Sequence, residues 1–164
     1  AERDSFYLST VSETGWPYIQ HRGGEAGFLH VLDESTIAFA DYRGNRQYIT
    51  LGNLDHDNRV ALFLMDYPSR TRLKILGLAT VYEGQDAKTY LDQLTTPDDR
   101  KLTERVITIR VEGFDWNCQQ HITPRYTEDQ VVQIMAPVRK RLADLEEENK
   151  RLLVELKDRS IVPE

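Results

Sequence analysis

The sequence has 164 residues, of which 40% are hydrophobic and 29% are charged, and its formal net charge is -6. These values indicate one domain of ordinary size with a buried core, exclude a disordered chain and argue against sequence-independent binding to nucleic acid. The polar N-terminus carries no secretory signal, and no apolar run approaches the roughly 20 residues of a membrane span. Because the sequence begins with Ala and enters a strand pattern almost at once, we expect a leading segment to be missing from it.

Short strand patterns follow one another through most of the chain. Strands are predicted at 6–11, 16–22, 28–32, 36–40, 59–65, 72–82 and 106–111. Only brief helices separate them: one begins near Asn45, its expected N-cap, and another covers 86–94. A parallel sheet needs a long crossover between successive strands, and there is no room for one. The sequence therefore predicts a mainly β (α+β) fold built on an antiparallel barrel.

The pattern becomes helical near residue 127, so we place a domain boundary between 1–126 and 127–164. Thr127-Glu128-Asp129-Gln130 is a capping box that opens a helix, which Pro137 is expected to kink or restart. Beyond it, one residue series recurs at alternating spacings of four and three: Val138, Leu142, Leu145, Asn149, Leu152 and Leu156. This coiled-coil seam spans under three heptads, so we expect it to reinforce a dimer made elsewhere or to lie against its own barrel. Pairing is favoured, because a buried Asn specifies partners at a cost in stability.

Polar residues at two strand ends suggest a binding site. The strand that carries Gln20, His21 and Arg22 is followed by two glycines, where a backbone can approach a flat ligand closely. Alternation sends Gln20 and Arg22 to one face of this strand and His21 to the other. A solvated strand end is the simpler interpretation of such a triplet.

The second strand end runs from Asp41 through a glycine turn into a helix that begins with Asn45, Arg46 and Gln47. A helix N-terminus beside an arginine favours phosphate, because free N–H groups and the helix dipole both attract an anion. Without an anion, an arginine in the first turn is mildly disfavoured and simply exposed. Asp41 would repel a phosphate, so we expect it to face a ring N–H or a neighbouring arginine. A phosphorylated cofactor is the first hypothesis for this pair of segments.

Further candidate residues lie later in the chain. Arg72 and Lys74 share one face of a strand and add positive charge. The segment 115–121 is dense in polar residues and is predicted to be an ordered loop. It contains Cys118 and His121, but a structural zinc needs four ligands and no second cysteine exists, so no metal site is predicted. A lone cysteine also excludes an intrachain disulfide and favours a reducing compartment, so a cytoplasmic protein is expected.

In order and spacing, these motifs resemble the pyridoxamine 5'-phosphate oxidase-related flavoproteins, and most closely their branch of flavin-nucleotide-binding proteins. The resemblance covers about residues 5 to 125. It rests on Gly15-x-Pro17-Tyr18 before Gln20-His21-Arg22-Gly23-Gly24, on Gly44-Asn45-Arg46-Gln47 and Asn53, on Arg72-Leu73-Lys74-Ile75-Leu76-Gly77, and on Asn117-Cys118-Gln119-Gln120-His121.

The resemblance implies a split β-barrel that dimerises and holds FMN at the subunit interface. The matched cofactor residues are Gln20, His21 and Arg22 along the flavin and its ribityl chain, Asn45, Arg46 and Gln47 at the phosphate, and Arg72 near the ring edge. Asp41 belongs to the same candidate site. Gln47 stands where the family has a Lys, so phosphate affinity is expected to depend on Arg46 with Arg22 or Arg72.

The substrate side carries over less well, because the Arg-Leu-His-x-Arg segment of true pyridoxamine phosphate oxidases has no counterpart here. Trp116, Gln120 and His121 are the residues expected to face a substrate, and no catalytic residue is assigned. The leading hypothesis is a homodimeric, FMN-dependent oxidoreductase that acts on an unknown small molecule or electron donor, without nucleic acid or membrane. The alternatives are a flavin-binding or flavin-storing module without turnover, the same barrel with a deazaflavin or haem, and a structural dimerisation domain.

Overall fold

The structure, a computed structural model, describes residues 3–44, 48–96, 99–116 and 120–159. It divides into two compact units, Ala1–Pro124 and Arg125–Glu164. None of the helices in the described segments is both long enough and apolar enough to span a membrane.

Seven strands form one antiparallel sheet in the described part of the first unit. The strands are β1 (Ser5–Val11), β2 (Pro17–Gly23), β3 (His30–Val31), β4 (Thr36–Tyr42), β5 (Arg59–Asp66), β6 (Thr71–Glu83) and β7 (Thr103–Trp116). Helix α1 (Ile49–His56) precedes β5, and α2 (Gly84–Leu94) lies between β6 and β7, with a short 3₁₀ turn at Asp99–Lys101. The order across the sheet is β2-β1-β5-β6-β7-β4-β3. The predicted mainly β, antiparallel fold is confirmed, and it is that of a split barrel.

Three local predictions need correction. The strand predicted at 28–32 is reduced to two residues, because Phe28 turns into the core and stacks on Phe6 with 5.4 Å between ring centroids. Helix α1 begins at Ile49 with Tyr48 at its N-cap position, so the N-cap is not Asn45, which lies outside the described residues. Asp115 and Trp116 end strand β7 instead of entering a loop, since they pair across the ladder with β6.

The main core of the first unit is an apolar cluster formed largely by side chains of the strands, and a smaller second cluster contains Ala38, Ala87, Leu94 and Val106. The largest members of the main cluster, almost fully buried, are Phe6, Leu8, Phe39, Leu62, Ile107 and Ile109. Helix α1 is tied to β1 by a buried hydrogen bond, in which Asn53 Nδ2 donates to Thr10 Oγ1 at 2.8 Å. This bond fixes the helix that follows the polar end of β4.

In its described residues the second unit contains one helix, α3 (Glu128–Arg159). The predicted capping box is present: the Thr127 N–H donates to Gln130 Oε1 at 3.0 Å, and the Gln130 N–H donates to Thr127 Oγ1 at 3.3 Å. The helix runs through Pro137 without restarting. The apolar residues of the predicted seam are exposed on its surface.

Candidate functional site

Strand β2 presents its polar residues alternately, as predicted. Gln20 and Arg22 are partly buried on the inward face, whereas His21 is exposed on the other face. The His21 ring packs edge-on against Tyr7, its cross-strand neighbour, with 5.6 Å between ring centroids. The alternation along β2 therefore places the Gln20 and Arg22 side chains together on its partly buried face.

Asp41, near the end of β4, accepts hydrogen bonds from two arginines, Arg22 on β2 and Arg105 on β7. Asp41 is only 5% exposed. Arg22 Nη1 donates to one carboxylate oxygen, and Arg105 Nη1 donates to the other at 3.2 Å. The prediction that Asp41 faces a neighbouring arginine is confirmed.

The contact between Arg22 and Asp41 joins opposite ends of the sheet. β2 is the first strand in the sheet order, and β4 is the last but one. The Arg22 guanidinium also lies 5.9 Å from the centre of the Phe39 ring on β4. Within the described residues no backbone ladder connects these two strands, so side chains close the barrel here and leave a split beside the polar residues.

Arg105 on β7 is the residue that sequence reasoning missed. It donates from Nε to Glu83 at 2.8 Å and contacts Glu104 at 3.3 Å, and its guanidinium lies 5.1 Å from the centre of the Tyr48 ring. Burial acts to lower the pKa of Arg105, but its hydrogen bonds to Glu83 and Asp41 outweigh that effect and raise the pKa. The only local signal was a charged residue placed just before a run of β-branched residues, Val106 to Ile109, in a strand.

Two neighbouring cavities share Gln20, Arg22, Asp41, Tyr42 and Gly44 as lining residues. The smaller has a volume of about 40 Å³ and reaches the residues Tyr48, Thr50 and Arg105. The larger has a volume of about 390 Å³ and is also lined by His21, Phe28, Phe39 and Arg43. The larger cavity falls within the range of small-molecule sites, about 300 to 1,000 Å³, whereas the smaller is suited to water.

The structure defines the hydrogen bonding of Gln20 and the protonation of Tyr42, which both line these cavities. Thr50 Oγ1 donates to Gln20 Oε1 at 2.7 Å, so the amide Nε2 is the donor that Gln20 retains. The pKa of Tyr42 is raised, first by burial and then by the negative charges of Asp99 and Glu25. The Tyr42 phenol therefore stays a neutral hydroxyl.

Arg22 carries a buried donor without a partner among the described residues. Its Nε is buried and has no hydrogen-bond partner among the residues that the structure describes, although Nη1 is engaged by Asp41. A buried, unsatisfied donor on a charged group costs free energy unless a ligand or water accepts its hydrogen bond. The atom therefore points to an acceptor that binds beside Arg22.

The two glycines at the end of β2, Gly23 and Gly24, lie close to aromatic rings of the same chain. A Cβ on Gly24 would lie 2.7 Å from the Phe28 ring, and one on Gly23 would lie 3.1 Å from the His21 ring. The close approach that Gly24 permits is thus to a core aromatic ring of the same chain. Gly23 also lines the larger cavity, so the close approach of its backbone to a ligand stays a prediction.

The remaining predicted residues lie elsewhere. Arg72 is on β6, which is separated from β2 by β1 and β5 in the sheet order, and its guanidinium lies 6.0 Å from the centre of the Phe63 ring. Lys74 forms an ion pair with Asp115 at 2.6 Å. Trp116 lines a separate cavity of about 370 Å³.

Gln120 and His121 are exposed, and His121 adopts a left-handed backbone conformation with φ of 64°. Asn45, Arg46 and Gln47, as well as Cys118, lie outside the described residues. Within the part of the chain that is described, no group of three or more metal-ligating side chains comes together.

Comparison with known proteins establishes the family. Residues 1–113 match the pyridoxamine 5'-phosphate oxidase family, and this chain belongs to it. No protein of curated function matches the sequence.

Solved structures agree with this assignment. A candidate pyridoxamine 5'-phosphate oxidase from Lactobacillus delbrueckii is 26% identical with a TM-score of 0.52, covering 68% of this chain and 84% of its own. An FMN-binding protein from Syntrophomonas wolfei is 15% identical with a TM-score of 0.52, covering 71% of this chain and 79% of its own. A variant of HupZ from Group A Streptococcus is 16% identical with a TM-score of 0.52, covering 71% and 92% respectively. The two more distant structures share the fold.

Proposed function

We propose that this protein binds FMN in the larger cavity beside Arg22 and acts as a flavin-dependent oxidoreductase on a small molecule that is not yet identified. The observation that carries the proposal is the buried Arg22 Nε, a charged donor without an acceptor among the described residues. A flavin phosphate or a pyrimidine carbonyl supplies such an acceptor. Membership of the pyridoxamine 5'-phosphate oxidase family supports the choice of a flavin.

The charges around the larger cavity fit an anionic ligand. Arg22 and Arg43 line it together with one carboxylate, Asp41, whose two oxygens are already occupied by arginines. Charge-assisted hydrogen bonds from arginine to phosphate are among the strongest in proteins. Arg46, close in sequence to this cavity, is the further cation that the resemblance assigns to the phosphate.

Each residue then has a defined task. Gln20, oriented by Thr50, offers its amide donor to the ligand, and Arg22 offers a fixed positive charge. FMN, when bound, supplies hydride or electron transfer, and the protein supplies binding, orientation and electrostatics. A cation beside the flavin favours its anionic reduced form, and Arg22 or Arg72 fills that role.

We propose a homodimer with the flavin at the subunit interface. Within one chain, two strands separate Arg72 on β6 from β2 in the sheet order, and Trp116 lines a different cavity from Gln20. A second copy is the simplest way to bring these predicted residues to a single flavin.

The binding test compares Arg22→Ala with the wild-type chain and with Arg59→Ala as a matched control. Arg59 is an exposed arginine paired with Asp57 and lines neither cavity near Arg22. Loss of charged hydrogen bonds should weaken FMN binding about 10- to 100-fold in Arg22→Ala, measured by quenching of flavin fluorescence. Equal losses in both variants would contradict the role of Arg22.

Turnover is tested separately by anaerobic mixing of the FMN-loaded protein with NADH or NADPH. Rapid bleaching of the flavin spectrum supports an oxidoreductase. FMN binding without reduction by any donor supports the alternative, a flavin-binding or flavin-storing module, which is favoured by the absence of the family's substrate segment. A deazaflavin or haem spectrum in the protein as purified would replace FMN as the ligand.

A further inference from the structure

We infer that helix α3 pairs with the same helix of a second chain as a parallel, in-register, two-stranded coiled coil. The inference concerns the second unit alone and does not depend on the bound flavin. It goes beyond a general dimer, because it fixes the orientation of the two helices and the residues that meet.

The heptad register is longer than the seam first visible in the sequence. With Leu142 at position a and Leu145 at position d, the same register places Val131 at d and Met135 at a. The full set of a and d residues is Val131, Met135, Val138, Leu142, Leu145, Asn149, Leu152 and Leu156. From Val131 to Leu156 the seam is about 38 Å long at 1.5 Å per residue.

Helix α3 provides a continuous scaffold for this register, which itself rests on the sequence spacing. Helix α3 is continuous from Glu128 to Arg159, and Pro137 falls at position c, away from the seam. Apolar seam residues are 38% to 61% exposed in the single chain. An exposed apolar stripe at this spacing is the surface that a coiled-coil partner covers.

Charge complementarity selects a second copy as the partner. In a parallel pair, position g of one helix faces position e of the next heptad in the other. Arg141 at g then faces Glu146 at e, and symmetry makes this contact twice. The remaining g-to-e combinations, Ile134 with Arg139 and Glu148 with Leu153, bring no like charges together.

Asn149 selects the parallel orientation. In register, the two Asn149 side chains face each other at an a layer and can exchange hydrogen bonds, which is the arrangement that specifies two strands. The best antiparallel alignment pairs Leu142 with Leu145 and sets Asn149 against Val138. The amide then has no polar partner across the interface, so this alignment is disfavoured even though its flanking charges are also complementary.

Disulfide trapping in the full chain tests the orientation. In a Cys118→Ser background, Leu152→Cys and Met135→Cys are each made as single-cysteine proteins and oxidised mildly. Each should form a crosslinked dimer as the main species on a non-reducing gel, because equivalent d or a positions face each other in a parallel pair. Glu147→Cys, at the outer position f, is the control and should stay uncrosslinked.

Two results would overturn the inference. Crosslinking only when the Met135→Cys and Leu152→Cys proteins are mixed would show an antiparallel pair. No crosslinking in either single variant or in the mixture would show that another surface covers the stripe, such as the barrel of the same chain. As a second measurement, Asn149→Leu should shift the protein from dimer to larger oligomers in sedimentation, and an unchanged dimer would contradict the role given to Asn149.

Discussion

Asp41 is the residue that holds the candidate site together before any ligand binds. Its carboxylate, almost fully buried, accepts hydrogen bonds from Arg22 on one side and Arg105 on the other. Removal of one partner from a buried ion pair leaves the other charges uncompensated. The same carboxylate also repels an incoming anion, so stability and affinity make opposite demands on this position.

We therefore expect Asp41→Asn to change stability and phosphate affinity in opposite directions. The free energy of unfolding should fall by about 2–4 kcal/mol, because the Arg22 guanidinium loses its counter-ion and Arg105 loses one of its carboxylate partners. Binding of inorganic phosphate should become tighter, because the cavity gains net positive charge. Urea melts and calorimetric phosphate titrations measure the two quantities. Glu83→Gln is the control, since Glu83 also pairs with Arg105 but is largely exposed and should change stability by less than about 1 kcal/mol. Weaker phosphate binding in Asp41→Asn would contradict this account.

At the same scale, local sequence patterns predicted some contacts and missed others. Alternation along β2 was enough to place Gln20 and Arg22 on one face, because period two is a local property of a strand. Arg105 is 64 residues away from Asp41, and only the β4–β7 ladder brings them together. Such a contact follows from strand order, which spacing along the chain does not encode.

Among the strands, too, features set by local sequence pattern were predicted and features set by long-range pairing were missed. Long apolar or alternating runs such as β5 and β6 were predicted within a residue or two. Strand β7 extends past its predicted end at residue 111, because its last residues continue the ladder with β6 as far as the pair Trp116–Leu73. Long-range pairing thus lengthened a strand whose own residues indicated a loop.

Strand β6 contains one position at which only glycine fits. A Cβ on Gly77 would lie 2.6 Å from both the Arg110 carbonyl oxygen and Ile109 Cγ2, at the point where the β6–β7 register shifts. Gly77→Ala should lower the free energy of unfolding by about 1–3 kcal/mol through overpacking. Gly113→Ala, on the facing strand with open space at its Cβ, should change it by less than about 0.5 kcal/mol. Thermal melts measure both, and equal effects would show that the close contact is not the cause.

Helix α1 ends at a carboxylate with a perturbed pKa. Hydrogen bonds from Arg59 lower the pKa of Asp57 from 3.8 to about 2. Because this pKa is depressed in the folded state, the stabilisation is present above about pH 4 and is lost as the pH falls towards 2. Asp57→Asn should therefore destabilise the protein at pH 6 and have little effect near pH 2. Urea melts across this range test it, with Asp55→Asn on the same helix as control. A difference between wild type and Asp57→Asn that does not change with pH would contradict the assignment.

At the scale of the whole molecule, the chain combines a family barrel with a helix that the family match does not cover. The matched residues, 1–113, contain strands β1 to β6, most of β7 and the arginine pair on Asp41. Helix α3 follows as a separate unit with its own heptad register. The fold and the coiled-coil pattern were readable from sequence because both rest on regular periods. The closure of the barrel by Arg22 and Asp41 was not, because it joins strands from opposite ends of the sheet.

The central claim is that the cavity beside Arg22 binds FMN. Its most direct test is an FMN titration of the purified protein, monitored by the visible spectrum and the melting temperature. The account predicts a protein-bound flavin spectrum at one FMN per chain and a melting temperature that rises with FMN concentration, as ligand binding to the folded state requires. A protein that shows neither a bound flavin spectrum nor an FMN-dependent rise in melting temperature would contradict it.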